Sequence, residues 1–318
     1  AVKEALIRLN PEIEADTRKA DEVIHTLRAI LISARTTPHP VVSNEEFIAW
    51  LTGQKSMPFG SDGEHTTVRL VDFDHPEDDS SNQWMISTEV TYQIGRVSRR
   101  FDLVLWCNGF PLVIGEAKTP IRAAYSWIDG AAQVHDDYEK FVPELFVCNV
   151  FSVATEGKAY HYGSIGLPVK DWGPWHLDGG DAQHHPLKSL KLSAESMLRP
   201  HVVLDILGSF TLFATNKKKQ RIKVICRYQQ FEAANKIVER VLAGEINEHI
   251  ASQIERFGGR AMPLNFVGET DNNVLFGERL ALLGKAKQVL AITHSPQVAA
   301  AASRLLPHPQ NVTPIAAT

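Results

Sequence analysis

Apolar positions along this chain change their period several times, and each change predicts an element. Leu6, Ile7 and Leu9, then Ile24, Leu27, Ile30 and Leu31, recur near the helical repeat, so residues 1 to 34 read as helix, with Asp16 or Thr17 capping the second segment. After the extended Thr36 to Pro40, Ser43 followed by Glu46 has the form of a capping box opening a helix through FIAWL. A strand is predicted at Thr67 to Phe73, and Gln83 to Gln93 alternates as a half-buried strand does. Phe101 to Cys107 and Leu112 to Ala117 are apolar runs around Asn108-Gly109, the signature of an antiparallel hairpin. A helix should cover about Ala123 to Lys140. Leu145 to Ala154 is too uniformly apolar for a surface strand and reads as central, parallel to a neighbour. A turn at 155–158 leads into a strand at 159–162. Further on, Ser196 to Phe213 reads as amphipathic helix and Arg221 to Cys226 as a short strand. The fold class that follows is α/β, a mixed sheet flanked by helices.

Composition narrows this picture. The 318 residues suffice for about two domains, and 44% hydrophobic with 22% charged residues is ordinary for a globular protein. There is neither an apolar run of membrane-spanning length nor a charged-then-apolar leader, so a cytoplasmic protein with no membrane association is expected. Cys107, Cys148 and Cys226 lie inside apolar runs without metal-site spacing and read as buried thiols. The net charge of -4 does not advertise nucleic-acid binding, so a DNA partner would need local basic patches. Arg96, Arg99 and Arg100, and the basic run from Lys217 to Lys223, are the candidates. The acidic stretch 72–82 is a solvent loop without calcium-loop spacing, and His176, His184 and His185 lack a paired acid or cysteine.

The chemistry concentrates in RRFDLVLWCNGFPLVIGEAK, where Asp102 stands 14 positions ahead of Glu116 and Lys118 follows two later. Glu116 and Lys118 share a face of one strand whatever the turn does. Asp102 joins them only in one register. A two-residue turn at Asn108-Gly109 sets Asp102 opposite Gly115 and sends Glu116 to the other face, whereas a three-residue loop, or a bulge at Gly115, sets Asp102 opposite Glu116. The second register is expected. Isolated strand-end acids and lysines are usually solvated charges, but Glu116 interrupts an apolar run at a position whose period is buried. Two converging carboxylates are costly without compensation, and Mg²⁺, which takes hard oxygen ligands and keeps several waters, would supply it. A metal-activated water beside Lys118 is then a recipe for phosphodiester hydrolysis.

Asp102, Glu116 and Lys118 on consecutive strands resemble the PD-(D/E)xK nuclease motif. FDLVLWCNGFPLVIGEAKTP, AAQVHDDYEKFVPELFVCNVFSVATEGK and RYQQFEAANKIVERV resemble the R subunit of type I restriction-modification enzymes from about residue 1 to 244. The residue before Asp102 is Phe101 instead of the motif's Pro. The resemblance implies a Mg²⁺-dependent endonuclease domain with Asp102 and Glu116 as metal ligands, Lys118 serving the attacking water, and Gln133 and Tyr138 placing the DNA strand. Gln133 and Asp137, four apart, should share a helix face, with Tyr138 slightly off it. Glu46 and Glu89 are further candidates for the metal site. The implied partners are double-stranded DNA and the modification and specificity subunits of the complex.

The expected organisation is an endonuclease-like domain at 1–170, a linker at 171–195, the start of a helicase-like motor at 196–244, and a C-terminal α/β segment at 245–318. Gln230 resembles the adenine-reading glutamine of that motor, but no G-x-x-x-x-G-K-[ST] phosphate loop occurs, so ATP is implied only for a complete motor. Residues 265–306 resemble instead the end of RecN-type repair ATPases, with His294 at the position that contacts a γ-phosphate. The competing reading is a catalytically silent assembly or DNA-docking module.

Overall fold

The computed structural model describes residues 1–37, 40–122, 124–175 and 186–243. Expectations for 245–318, His294 included, and for His176, His184 and His185 lie outside these residues. Two compact units are present, one formed by 1–208 and 213–225, the other by 209–212 and, among the described residues, 226–243.

The first unit opens with helices α1 (Val2–Leu9), α2 (Pro11–Ala15), α3 (Arg18–Ser33) and α4 (Pro40–Leu51). Asp16 accepts from the Arg18 amide, while Thr17 makes no capping bond. Helix α4 starts at Pro40, ahead of the expected capping box. A proline suits a first helical turn, where no amide partner is needed, and Ser43 is buried inside the helix. Asn44 Nδ2 donates to the carbonyl oxygens of Phe146, Val147 and Asn149, tying α4 to the chain that enters the central sheet.

Strands β1 (Ser56–Met57) and β2 (Thr66–Thr67) form a small ribbon. The strand expected at Thr67 to Phe73 does not form beyond it. Val68, Leu70 and Val71 are buried there, and the backbone groups are taken by asparagine side chains in place of a neighbouring strand. Asn10 brackets Arg69 by accepting from its N–H and donating to its C=O, and Asn108 donates to Leu70 O.

The main sheet has six strands in the order β3-β4-β5-β6-β7-β8: β3 (Trp84–Ile94), β4 (Val97–Cys107), β5 (Phe110–Ala117), β6 (Phe151–Thr155), β7 (Tyr160–Gly163) and β8 (Gly173–Pro174). All neighbours are antiparallel except β5 and β6, which run parallel. The β5–β6 crossover carries α5 (Trp127–Ala132), a π-helical turn (Gln133–Tyr138) and α6 (Glu139–Phe141). Phe101, Val104, Ile114, Val134, Tyr138, Phe146 and Ala154 form the core between crossover and sheet.

Helix α7 (Pro186–Met197) occupies the second half of the stretch read as a linker. The single helix expected from Ser196 to Phe213 is replaced by α8 (Pro200–Ser209) followed by β9 (Thr211–Thr215). Pro200 cannot continue a preceding helix but opens a new one well. Strands β9 and β10 (Arg221–Ile225) make a separate two-stranded sheet, and α9 (Tyr228–Ala243) follows. The basic run does not act as one patch. Lys217, Lys218 and Lys219 are exposed, but Arg221 is paired with Glu45 and Lys223 is buried. All three cysteines are buried thiols, and no described helix is long and apolar enough to cross a membrane.

Candidate active-site cleft

The β4–β5 hairpin turns through two residues, with Cys107 opposite Phe110. Asn108 (φ 53°) and Gly109 (φ 87°) are both left-handed, as a tight hairpin turn demands. Asn108 tolerates this conformation because its buried side chain is fully employed, accepting from Arg8 and the Gln83 amide while donating to Leu70 O. Such a turn alone would face Asp102 with Gly115. The register is corrected by a bulge: Trp106 pairs with Pro111 but Leu105 pairs with Val113, leaving Leu112 as the extra residue. Beyond it Leu103 pairs with Gly115, and one step further in that register Asp102 falls opposite Glu116. The expected register is reached, by a bulge at Leu112 instead of a longer loop or a bulge at Gly115.

Asp102, Glu116 and Lys118 line one polar cleft of about 440 Å³, together with Gln133 and Tyr138. Asp102 Oδ2 accepts from the Ala117 amide at 2.9 Å, which pins it to the end of β5. Glu116 is only 4% exposed. Its Oε1 receives Lys118 Nζ at 2.8 Å and its Oε2 lies 3.1 Å from the Tyr138 hydroxyl. Lys118 Nζ also donates to Gln133 Oε1, and Gln133 Nε2 donates to the Tyr138 hydroxyl, whose one O–H is shared between Arg100 O, 2.7 Å from the phenol oxygen, and Glu116 Oε2. Burial lifts the Glu116 carboxyl above its usual range, with the charge of Asp102 adding to the effect and Lys118 and Tyr138 opposing it. Burial and the neighbouring Glu116 also hold the Tyr138 phenol well above its ordinary value.

Tyr138 reaches this network through the π turn. In an α-helix at about 100° per residue, positions five apart lie roughly 140° apart, and Asp137 would share the face of Gln133. The extra residue of a π turn brings Gln133 and Tyr138 together instead. Asp137 turns to Arg99, accepting from Nε at 2.7 Å and from a terminal nitrogen at 2.6 Å. The sequence offers no local sign of this turn, which contains neither proline nor glycine.

The wall is completed by Ser98, Arg99, Arg100 and Asp137. Arg99 and Arg100 stand out in the sequence only as charge, and Ser98 carries no signal. The additional acids stay out of the cleft wall. Glu46 is exposed on α4. Glu89, which the β3–β4 register sets opposite Asp102, adopts φ 54° and turns toward Arg100, 3.8 Å away. His135 is engaged with Asp136. In the second unit, Gln230 accepts from the Arg227 amide at 2.9 Å, a local bond at the start of α9.

Among the described residues no group of three or more His, Cys, Asp or Glu side chains gathers as a closed metal cage. The cleft offers two carboxylates, a donor set that fits a hard cation retaining part of its water shell. Gly130 seats α5 against this end of β5, where a Cβ in its place would meet Glu116 and Ala154 at ordinary contact distance.

The strands of the mixed sheet that present two acids and a lysine to one polar cleft lie within a stretch that matches a known protein family. The family described as "Type I restriction enzyme R protein N terminus" matches residues 1–166, a span that contains the whole cleft, and the chain is a member of that family. It is similar to the type I restriction enzyme HindI endonuclease subunit of Haemophilus influenzae, 25% identical over 247 residues, covering 76% of this chain and 22% of the relative. It is also similar to a Methanocaldococcus jannaschii protein provisionally named as the MjaIXP endonuclease subunit of a type I restriction enzyme, 29% identical over 229 residues, covering 64% of this chain and 21% of the relative. The chain thus spans about a fifth of the length of these relatives.

Proposed function

We propose that this chain is the Mg²⁺-dependent endonuclease region of a type I restriction enzyme R subunit, hydrolysing phosphodiester bonds of double-stranded DNA. The observation that carries the reading is the convergence of Asp102, Glu116 and Lys118 on one polar cleft, with Lys118 bonded to both Glu116 and Gln133. Asp102 and Glu116 would hold Mg²⁺ through their carboxylate oxygens. The ion, when bound, lowers the pKa of a coordinated water and polarises the phosphoryl oxygen.

The remaining roles belong to the chain. Lys118 has three N–H donors; Glu116 and Gln133 take two, and the third is available to orient the attacking water or offset charge on the phosphorus oxygens. Gln133 and Tyr138 hold the lysine and the second oxygen of Glu116, so neither group has to reorganise as charge develops. Arg100, exposed on the cleft wall, suits a DNA phosphate. In this reading 1–170 is the nuclease domain, 196–244 leads into a motor that requires ATP only when complete, and cleavage occurs in a complex with modification and specificity subunits.

The test is replacement of Asp102, Glu116 or Lys118 by alanine in the full chain, assayed by plasmid nicking in the reconstituted complex with Mg²⁺. Each variant should lose on the order of 10³-fold or more in cleavage while melting as the parent does. Cleavage retained in Asp102→Ala or Glu116→Ala overturns the assignment. Failure of the parent to bind Mn²⁺ in titration would favour a silent docking module.

A further inference from the structure

A π turn is uncommon and is kept only where its surroundings over-determine it. The turn at Gln133–Tyr138 is contested from within its own sequence, because Asp137 and Tyr138 are adjacent and only one can stand beside Gln133. If the turn relaxed to α-helix, Asp137 would move to the Gln133 face by its four-residue spacing, and Tyr138 would rotate away. That exchange would set a third carboxylate beside Lys118 and remove the phenol from Glu116.

One contact opposes it directly. Arg99 grips both oxygens of Asp137 with two parallel N–H bonds, at 2.7 and 2.6 Å, and its guanidinium lies over the Phe141 ring, 5.0 Å from the centroid. A planar guanidinium fork fixes the carboxylate in direction as well as distance. Arg99 is anchored in β4, whose neighbour β5 carries Glu116 and ends just before Lys118, so the fork ties the helical register to the hairpin register. Both partners line the cleft, where incoming DNA could compete for Arg99.

We propose that Arg99 and Asp137 are positioning residues that lock the crossover helix in the Tyr138-in register and exclude the Asp137-in register. The proposal rests on the nuclease reading for its catalytic consequence, but the register itself can be read without activity. Arg99 and Asp137 act through Gln133 and Tyr138, and neither is assigned a contact with the reacting phosphate.

The experiment places 3-fluorotyrosine at position 138 of the full chain and follows its fluorine resonance. Arg99→Ala and Asp137→Asn should each move it toward the solvent-exposed position, the double variant no further than either single one, and the control Asp136→Asn not at all. The reversed pair, Arg99→Asp with Asp137→Arg, should bring it part of the way back. Arg99→Lys, which keeps the charge without the fork and serves if the alanine variant fails to fold, should give an intermediate shift. An unmoved resonance in Asp137→Asn and Arg99→Lys overturns the proposal. In the reconstituted complex, Arg99→Ala should lower kcat roughly tenfold or more with KM for DNA unchanged, and adding Tyr138→Phe should cost nothing further. A raised KM with intact kcat would make Arg99 a DNA contact and equally overturn the lock. If Asp102→Ala leaves cleavage unchanged, the nuclease reading falls while the fluorine result still decides the register.

Discussion

The hairpin and the crossover helix place their cleft residues by opposite means. On β4 and β5, Asp102, Glu116 and Lys118 are positioned by main-chain pairing, so a single bulged residue decides which of them meet. On the helix, Gln133 and Tyr138 are positioned by a turn that their own side chains and the Arg99–Asp137 fork hold open. A strand residue therefore inherits its place from the ladder, whereas a helix residue here earns it from partners far away in sequence.

Length changes separate the two most sharply. Inserting one alanine between Val113 and Ile114, past the bulge, slips the rest of β5 by one residue and turns Glu116 away from Asp102. Ile114 is fully buried and would be turned out of the core by the slip, so the variant should lose about 2–5 kcal/mol in denaturant unfolding and all cleavage above background. Loss of stability with cleavage intact would show that the register does not assemble the cleft.

A second contrast lies between two buried carboxylates, one on each element. Glu116 has Lys118 and Tyr138 as partners and faces the cleft. Glu139, next to Tyr138 on the helix, receives the Gly166 amide on Oε2, while its Oε1 has no hydrogen-bond partner. Burial pushes Glu139 up to about 8, and burial pushes the Lys223 amine, whose Nζ donates to Asn149 O at 2.6 Å, down to about 7. An acid whose folded pKa is raised contributes stability that is full below its unfolded value, near 4.5, and is lost as pH rises toward 8. A lysine whose folded pKa is depressed does the reverse, destabilising the fold at low pH and relieving it as pH rises from about 7 toward 10.5. Their sum should fall with pH up to about 7, stay level to about 8, and rise beyond, with slopes approaching about 1.4 kcal/mol per pH unit. Urea midpoints across this range test it: Lys223→Met should abolish the rising limb and Glu139→Gln the falling one.

Glu116→Gln should give a smaller effect of the same sign as Glu139→Gln. Because burial raises the Glu116 carboxyl, wild-type stability contributed at low pH is lost as pH climbs through that raised pKa, and the amide is spared the loss. A gain in stability at neutral pH, accompanied by lost cleavage, is expected in melting and nicking assays. A destabilised Glu116→Gln would mean that the Lys118 bond outweighs the burial.

The smallest change is expected from deleting His135, a partly exposed residue within the π turn. Removing it converts the turn to α-helix and leaves Gln133 and Tyr138 four apart, still on one face. The variant should melt within about 1 kcal/mol of the parent, in contrast to the alanine insertion in β5. A collapse comparable to that insertion would mean the helix is as register-bound as the strands.

Much of the cleft was legible from residue order because its signals are local. Continuous apolar runs on either side of Asn108-Gly109 mark the hairpin, and the two-residue spacing of Glu116 and Lys118 puts them on one face without further information. The parallel pairing of β5 and β6 agrees with the reading of Leu145 to Ala154 as a run too apolar to be exposed, but only its end from Phe151 is strand, Pro143–Phe146 being a 3-10 turn. Where reading failed, the deciding partner was distant. Val68 to Val71 look like a strand until Asn10 and Asn108 claim the backbone of Arg69 and Leu70, and only Ser43, which looks like a helix cap, is displaced by a near neighbour, Pro40, where the helix starts.

The amino-acid order by itself determined the hairpin, the spacing of Asp102, Glu116 and Lys118, and the mixed α/β class, since these depend on periodicity and turn chemistry within a few residues. Only the tertiary structure decided that Leu112 bulges, that Glu89 turns aside, and that Tyr138 instead of Asp137 stands beside Gln133. The physical reason is that each of these is a choice between two local conformations that are close in energy, settled by bonds such as Arg99 to Asp137 and Tyr138 to Arg100 that join residues 38 positions apart.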